Sequence, residues 1–119
     1  MLEKILKVAL SIEQRGLTTI AKGLIVADGT EQIIINTSEP SVISGYLDLS
    51  GMQAGDSVEV REYMLIDGVE HLYADVIYTG AQDSPIYYIT PKPVADALKL
   101  TIQQLTGVFR SFYYIVFKE

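Results

Sequence analysis

Beyond Gly16 the chain is cut at short intervals by residues that reverse a backbone: Asp28-Gly29-Thr30, residues 51–56, Asp67-Gly68, residues 80–85, Pro91-Lys92-Pro93 and Thr106-Gly107. The runs between them are apolar and rich in β-branched and aromatic residues. Turn signals at roughly 8–12-residue spacing define an all-β sandwich or barrel. Counting the runs predicts a mainly β fold: an antiparallel β-sandwich of about eight strands, jelly-roll-like, with an N-terminal α-helix. Asp-Gly favours the positive φ angles of tight hairpin turns, so residues 17–27 and 31–36 read as one hairpin, and 57–66 with 71–79 as another. Residues 42–49 form a further strand. Residues 86–90 form a short one, which Pro91-Lys92-Pro93 should end. Leu98, Leu100 and Ile102 alternate with Lys99, Thr101 and Gln103, the pattern of a half-buried strand. Residues 111–117 are apolar at almost every position, which predicts a strand covered on both faces.

The first sixteen residues follow a different period. Leu2, Ile5, Leu6, Ala9 and Ile12 fall at three- and four-residue steps, with Arg15 and Gly16 as stop signals. This predicts a helix over 2–15. Val8 and Leu10 lie off the stripe, so the helix is apolar on more than one side. Two roles fit it equally: capping the open end of the β core, or docking on a neighbouring subunit as an assembly arm. The domain division is therefore 1–16 for the helix and 17–119 for the sandwich.

The 119 residues match one domain, and 49% of them are hydrophobic, enough to build a core. The formal net charge is −6. No basic stripe of the kind that replaces counterions on phosphate is present, so nucleic acid is not an expected partner. Residues 1–23 carry Lys4, Lys7, Arg15 and Lys22 against Glu3 and Glu13, a net of +2, leaving −8 for the remainder. A basic arm of this kind can dock on a neighbouring acidic body, or simply be solvated. No apolar stretch approaches the roughly 20 residues of a membrane-spanning helix. Residues 1–15 make a poor signal peptide, because charges interrupt the apolar run.

Catalytic chemistry finds little to work with. Cysteine is absent, which removes disulfides, thiolate catalysis and Cys-based metal sites. The single histidine, His71, reads as a surface residue, and neither a nucleophile elbow nor a phosphate-cradling loop is present. Asp28, Asp56 and Asp67 sit at turns, where a carboxylate stabilises the turn itself. Nothing singles out a carboxylate pair for hydrolysis. The expectation is a protein with no catalytic residues, no metal and no cofactor. Its distinctive feature is eight tyrosines without a tryptophan. The adjacent pairs Tyr87-Tyr88 and Tyr113-Tyr114 each point to both faces of a strand. The outward rings can fill a sheet surface, form a protein interface or offer a sugar-stacking platform.

Three stretches carry a resemblance: Asp28-Gly29-Thr30-Glu31-Gln32; Tyr46-Leu47-Asp48-Leu49-Ser50-Gly51-Met52-Gln53-Ala54-Gly55-Asp56 with Arg61 beyond; and Leu100-Thr101-Ile102-Gln103-Gln104-Leu105-Thr106-Gly107-Val108-Phe109-Arg110-Ser111-Phe112. In order and spacing they resemble small β-sandwich virion proteins of tailed phages and archaeal viruses, over about residues 23–119. The resemblance implies a capsid, decoration or tail-associated protein located in the virion, with copies of itself and other virion proteins as partners, and it implies no enzyme and no cofactor. The expected assembly contacts are Leu2, Ile5, Leu6, Ala9 and Ile12 on the helix, and Phe112, Tyr113, Tyr114, Ile115 and Phe117 on the last strand. A carbohydrate- or receptor-binding module, extracellular or at a cell surface, is the alternative, with a glycan bound among exposed tyrosines.

Overall fold

The computed structural model describes residues 16–38 and 40–119. The helix expected over 2–15 lies outside them. Eight strands follow in order: β1 (Thr18–Val26), β2 (Gln32–Thr37), β3 (Ser41–Asp48), β4 (Ser57–Ile66), β5 (Val69–Thr79), β6 (Ile86–Val94), β7 (Ala97–Thr106) and β8 (Ser111–Lys118). They form two four-stranded antiparallel sheets, ordered β1-β8-β3-β6 and β2-β7-β4-β5.

Among the described residues, only β4 and β5 are consecutive strands paired in one sheet. Their turn is the expected one: Asp67 (φ 50°) and Gly68 (φ 76°) both take the left-handed conformation of a tight hairpin. The Asp28-Gly29 turn behaves differently, correcting the hairpin expected there. Asp28 accepts hydrogen bonds from the Thr30 amide (2.9 Å) and hydroxyl (2.6 Å). The chain then crosses from β1 in one sheet to β2 in the other. An Asp-Gly pair fixes a reversal, but whether the two strands meet depends on what else can pair with them. Here β8 takes β1 and β7 takes β2.

The prolines also fail to stop β6. Opposite Ser44, β6 carries two residues, Thr90 and Pro91, because Ile43 pairs with Lys92 and Gly45 with Ile89. A bulge on an edge strand is where proline is tolerated, since no ladder donor is lost. Beyond the bulge Lys92 is buried, and its Nζ donates to Glu62 Oε1 (2.9 Å) and to the Thr90 carbonyl (2.6 Å). The Tyr87 hydroxyl donates to the other Glu62 oxygen at 2.5 Å. Burial, with the Glu62 carboxylate beside it, pushes the Tyr87 hydroxyl well above its ordinary pKa. This cluster joins β6 of one sheet to β4 of the other.

The core lies between the sheets. Ile43, Leu47, Val58, Val60, Leu98, Leu100, Phe112 and Val116 are fully buried. Gly45 is required where β3 and β8 approach: a Cβ there would lie 2.3 Å from the Ile115 carbonyl oxygen. One end of the sandwich is tied by Asp56, which accepts from the Gln53 amide (2.9 Å) and from Arg110 Nε (2.8 Å). The buried Gln104 side chain completes the knot by bonding Thr106, Val108 and Arg110.

Phe112 and Phe109 lie three residues apart, with opposite environments: Phe112 is 0% exposed and Phe109 is 56% exposed. Phe112→Ala should therefore cost about 3–5 kcal/mol in chemical denaturation, and Phe109→Ala less than about 1 kcal/mol.

Candidate contact surfaces

The outer faces of the two sheets differ in kind. On the β2-β7-β4-β5 sheet, Arg61 sits at the centre of a polar network. It pairs with Glu31 (3.2 Å), with Glu59, and more distantly with Asp75 (3.9 Å). Glu31 also accepts from the Tyr63 hydroxyl (2.6 Å) and the Thr101 hydroxyl (2.7 Å). Lys99 donates to Glu70 (3.0 Å) and lies over the Tyr63 ring, 4.6 Å from its centroid. Gln103 closes the group by donating to the Gly29 carbonyl (3.1 Å). The hydrogen bonds from Tyr63 and Thr101 hold the Glu31 carboxyl below its usual range. Glu59 moves the other way, because a hydrogen bond shared with the Asp75 carboxyl favours its protonated form.

On the β1-β8-β3-β6 sheet the outer face is apolar. Register sets Lys22, Ile115, Tyr46 and Tyr88 in one row across all four strands, with Leu24 and Tyr113 paired beside it. Tyr113 is 64% exposed, Tyr88 and Ile86 50%, Leu24 47% and Tyr46 45%. The Tyr46 ring lies 5.5 Å from that of Tyr88 and meets Phe117 edge-on at 6.4 Å. Leu17, Tyr46, Tyr88, Pro91, Phe117 and Glu119 border a hollow of about 280 Å³. A second, of about 180 Å³, lies among Lys22, Tyr46, Asp48, Tyr113 and Ile115. The double covering expected for the last strand is thus absent among the described residues.

A third surface is the β5 edge. This eleven-residue strand is exposed along almost its whole length, and Val69, Leu72, Tyr73 and Ile77 are each more than half exposed. It contains no proline or lysine, but it carries Glu70 and Asp75 and has a bulge at Tyr73, where Glu62 pairs with Ala74 and Tyr63 with Leu72. An apolar groove of about 430 Å³ runs beside it, lined by Met64, Ile66, Leu72, Tyr73, Pro93 and Ala95 among others. Tyr73 connects this groove to the interior, with Lys92 5.3 Å from its ring centroid.

The residues expected to make contacts divide accordingly. Leu2, Ile5, Leu6, Ala9 and Ile12 lie outside the described residues. Phe112 belongs to the core, and Tyr114 packs against it with its ring across Gly23. Tyr113, Ile115 and Phe117 reach the outer face. Sequence reasoning missed Tyr46, Tyr88 and Leu24 as their neighbours. Alternation along β3 and β6 marks Tyr46 and Tyr88 as outward, but nothing local shows that β8 lies beside them. His71 is exposed, as expected. No group of three metal-ligating side chains occurs among the described residues.

No family model and no curated protein matches the chain. Two solved structures do, both of infectious bursal disease virus: the Gx strain at TM-score 0.48 and 14% identity, and the Gt strain at 0.47 and 13%. Each alignment covers 86% of this chain and 32% of the other, so the chain spans about a third of the length of the proteins it matches.

Replacing Asp75 by Asn should lower the Glu59 pKa, read from its side-chain carboxyl ¹³C shift. The two acids contribute to stability with opposite signs. The contribution of Glu31 is present above the ordinary carboxylate range and is lost as pH falls through its lowered value. That of Glu59 is present on the acid side and is lost as pH rises through its raised value.

Proposed function

We propose that this protein is a structural component of a virus particle that assembles with copies of itself and with other virion proteins. The observation that carries this reading is the β5 edge: a long, exposed strand, bulged at Tyr73 and bordered by an apolar groove. An extended segment added there gains main-chain hydrogen bonds along the strand and a place for alternate side chains in the groove. A second copy can supply that segment through its own β5, because an edge paired with itself about a two-fold axis forms a self-complementary contact. The strand order and the crossings between sheets are those of a jelly roll, an architecture used by capsid and lectin domains. The resemblance to virion proteins of tailed phages and archaeal viruses points the same way. The acidic net charge suits an outer shell better than a lining that touches genome.

Purified protein should form large, regular oligomers in electron microscopy and light scattering. Charges placed on the open strand by Val76→Lys and Ile77→Lys should reduce these to small species while the far-ultraviolet circular dichroism stays unchanged. A clean monomer of the unmodified chain at high concentration defeats the proposal.

A glycan-binding module is the second reading, favoured by Asp48 lying in one hollow with Tyr46 and Tyr113. It requires saturable binding on a glycan array that Tyr46→Ala abolishes. An array without hits dismisses it for the sugars tested.

A further inference from the structure

We propose that the tyrosine-rich outer face of the β1-β8-β3-β6 sheet packs against the same face of a second copy, about a two-fold axis that runs along the strands between β8 and β3. The contact lies on a different surface from the β5 edge and holds whether or not that edge assembles.

The face differs from its counterpart on the other sheet. An antiparallel sheet with one side in the core normally turns polar residues to water on the other. The β2-β7-β4-β5 sheet does so through the Arg61 network. The β1-β8-β3-β6 sheet instead presents Leu24, Val26, Tyr46, Ile86, Tyr88 and Tyr113, exposed from 45% at Tyr46 to 64% at Tyr113. An aromatic side chain carries about 150–250 Å², so three half-exposed tyrosines with three aliphatic neighbours make a patch on the order of 600 Å². The largest apolar patch on a monomer is about 300–600 Å². Each side of a standard interface buries roughly 800 Å². The patch thus stands at the top of the monomer range and, with its rim, close to what one side of a dimer buries.

Strand register makes the face complementary to itself. From β1 to β6 one row reads Lys22, Ile115, Tyr46, Tyr88. The next reads Leu24, Tyr113, Asp48, Ile86, with Tyr113 and Asp48 bordering one hollow. An axis along the strands between β8 and β3 reverses both rows on the opposing copy. Lys22 then faces the Tyr88 ring, Ile115 faces Tyr46, Leu24 faces Ile86 and Tyr113 faces Asp48, and each contact occurs twice. Both charges in these rows find a partner: the ammonium an aromatic ring, the carboxylate a phenol hydroxyl. Asp48 is already held in place, since its Oδ1 accepts from the Ser50 amide at 2.8 Å. The hollow of about 180 Å³ beside it gives the opposing Tyr113 ring a place to enter. An axis along the row would instead set Lys22 against Lys22, which like-charge repulsion disfavours. The strand-wise axis also matches the aligned packing of sheets, which cross at about 30° and lie about 10 Å apart.

A β5 edge that pairs with itself closes on two chains and stops, because one partner saturates such a contact. A second self-complementary contact on another surface lets those pairs join into larger assemblies. The tyrosine face supplies it.

The test uses the full-length chain carrying Val76→Lys and Ile77→Lys, which closes the β5 route. Sedimentation equilibrium should show a dimer. Adding Tyr113→Asp sets carboxylates against each other and should raise the dissociation constant at least about tenfold. A monomer at every concentration overturns the proposal, and is also the result if something other than a second copy covers this face. If the unmodified chain still builds large oligomers, that result leaves the edge reading standing. A dimer, with an unmodified chain that never exceeds a dimer, defeats the edge and keeps the face. The axis is read by oxidation, since the chain has no cysteine. Leu24→Cys and Ile86→Cys chains are mixed, one of them ¹⁵N-labelled so that the possible disulfide dimers differ in mass. The mixed disulfide should exceed either homodisulfide at least about tenfold, as for thiols held at high effective concentration. Yields in the statistical ratio, or a majority of homodisulfides, overturn the proposed axis. Every substituted side chain is exposed, so each variant should keep the circular dichroism spectrum of the unmodified sandwich.

Discussion

The placement of β8 between β1 and β3 is the constraint on which the other features depend. Thr18 pairs with Lys118, so the beginning and end of the sandwich close on each other across nearly the whole sequence. β7 does the same in the second sheet, between β2 and β4. Each sheet thus has at its centre a strand from the last quarter of the chain. A side-chain period of two makes this placement all-or-none. With Phe112 and Val116 in the core, Tyr113, Ile115 and Phe117 must lie outside; a slip of one residue would exchange the sets. Long-range pairing of this kind closes large loops before most contacts form, which makes folding slow by comparison with helical domains of the same size.

Glu62, Lys92 and Tyr87 add a second kind of specification. A buried ion pair recovers its desolvation cost only when its geometry and remaining hydrogen bonds are satisfied, and removing one partner costs about 3–5 kcal/mol. Both Glu62 oxygens are occupied here, and Lys92 has a second acceptor in the Thr90 carbonyl. That acceptor comes from the β6 bulge, so the irregularity that accommodates Pro91 also serves the lysine. The cluster rejects alternative registers of β6, because a shifted strand would leave Glu62 buried without its cation.

Much of the fold was legible in the sequence. The number of strands, their approximate limits, the Asp67-Gly68 hairpin and the alternation through Leu98, Leu100 and Ile102 all follow from local chemistry. What local chemistry does not encode is which strands meet. Asp28-Gly29 specifies a reversal equally compatible with a hairpin and with an arch between sheets. Pro91 and Pro93 read as a terminator because their tolerance depends on β6 being an edge, a property of the whole sheet. The contact surfaces were legible to the same limited degree. Tyr113 and Phe117 stand out as excess apolar residues in one strand, whereas the face they share with Tyr46, Tyr88 and Leu24 exists only once β1, β8, β3 and β6 are side by side. The β5 surface was hidden for the same reason: apolar residues on a long strand look like core until the strand proves to be at an edge.

The prolines of β6 have a consequence for the flank they border. β5 and β6 border the same flank of the sandwich, one in each sheet; β6 lacks backbone donors at Pro91 and Pro93, whereas β5 has one at every residue but is bulged at Tyr73. The open backbone donors at this flank are therefore more numerous on one layer than on the other. The two layers thus differ in what they offer at this flank, one a long run of donors and the other a run cut short by prolines.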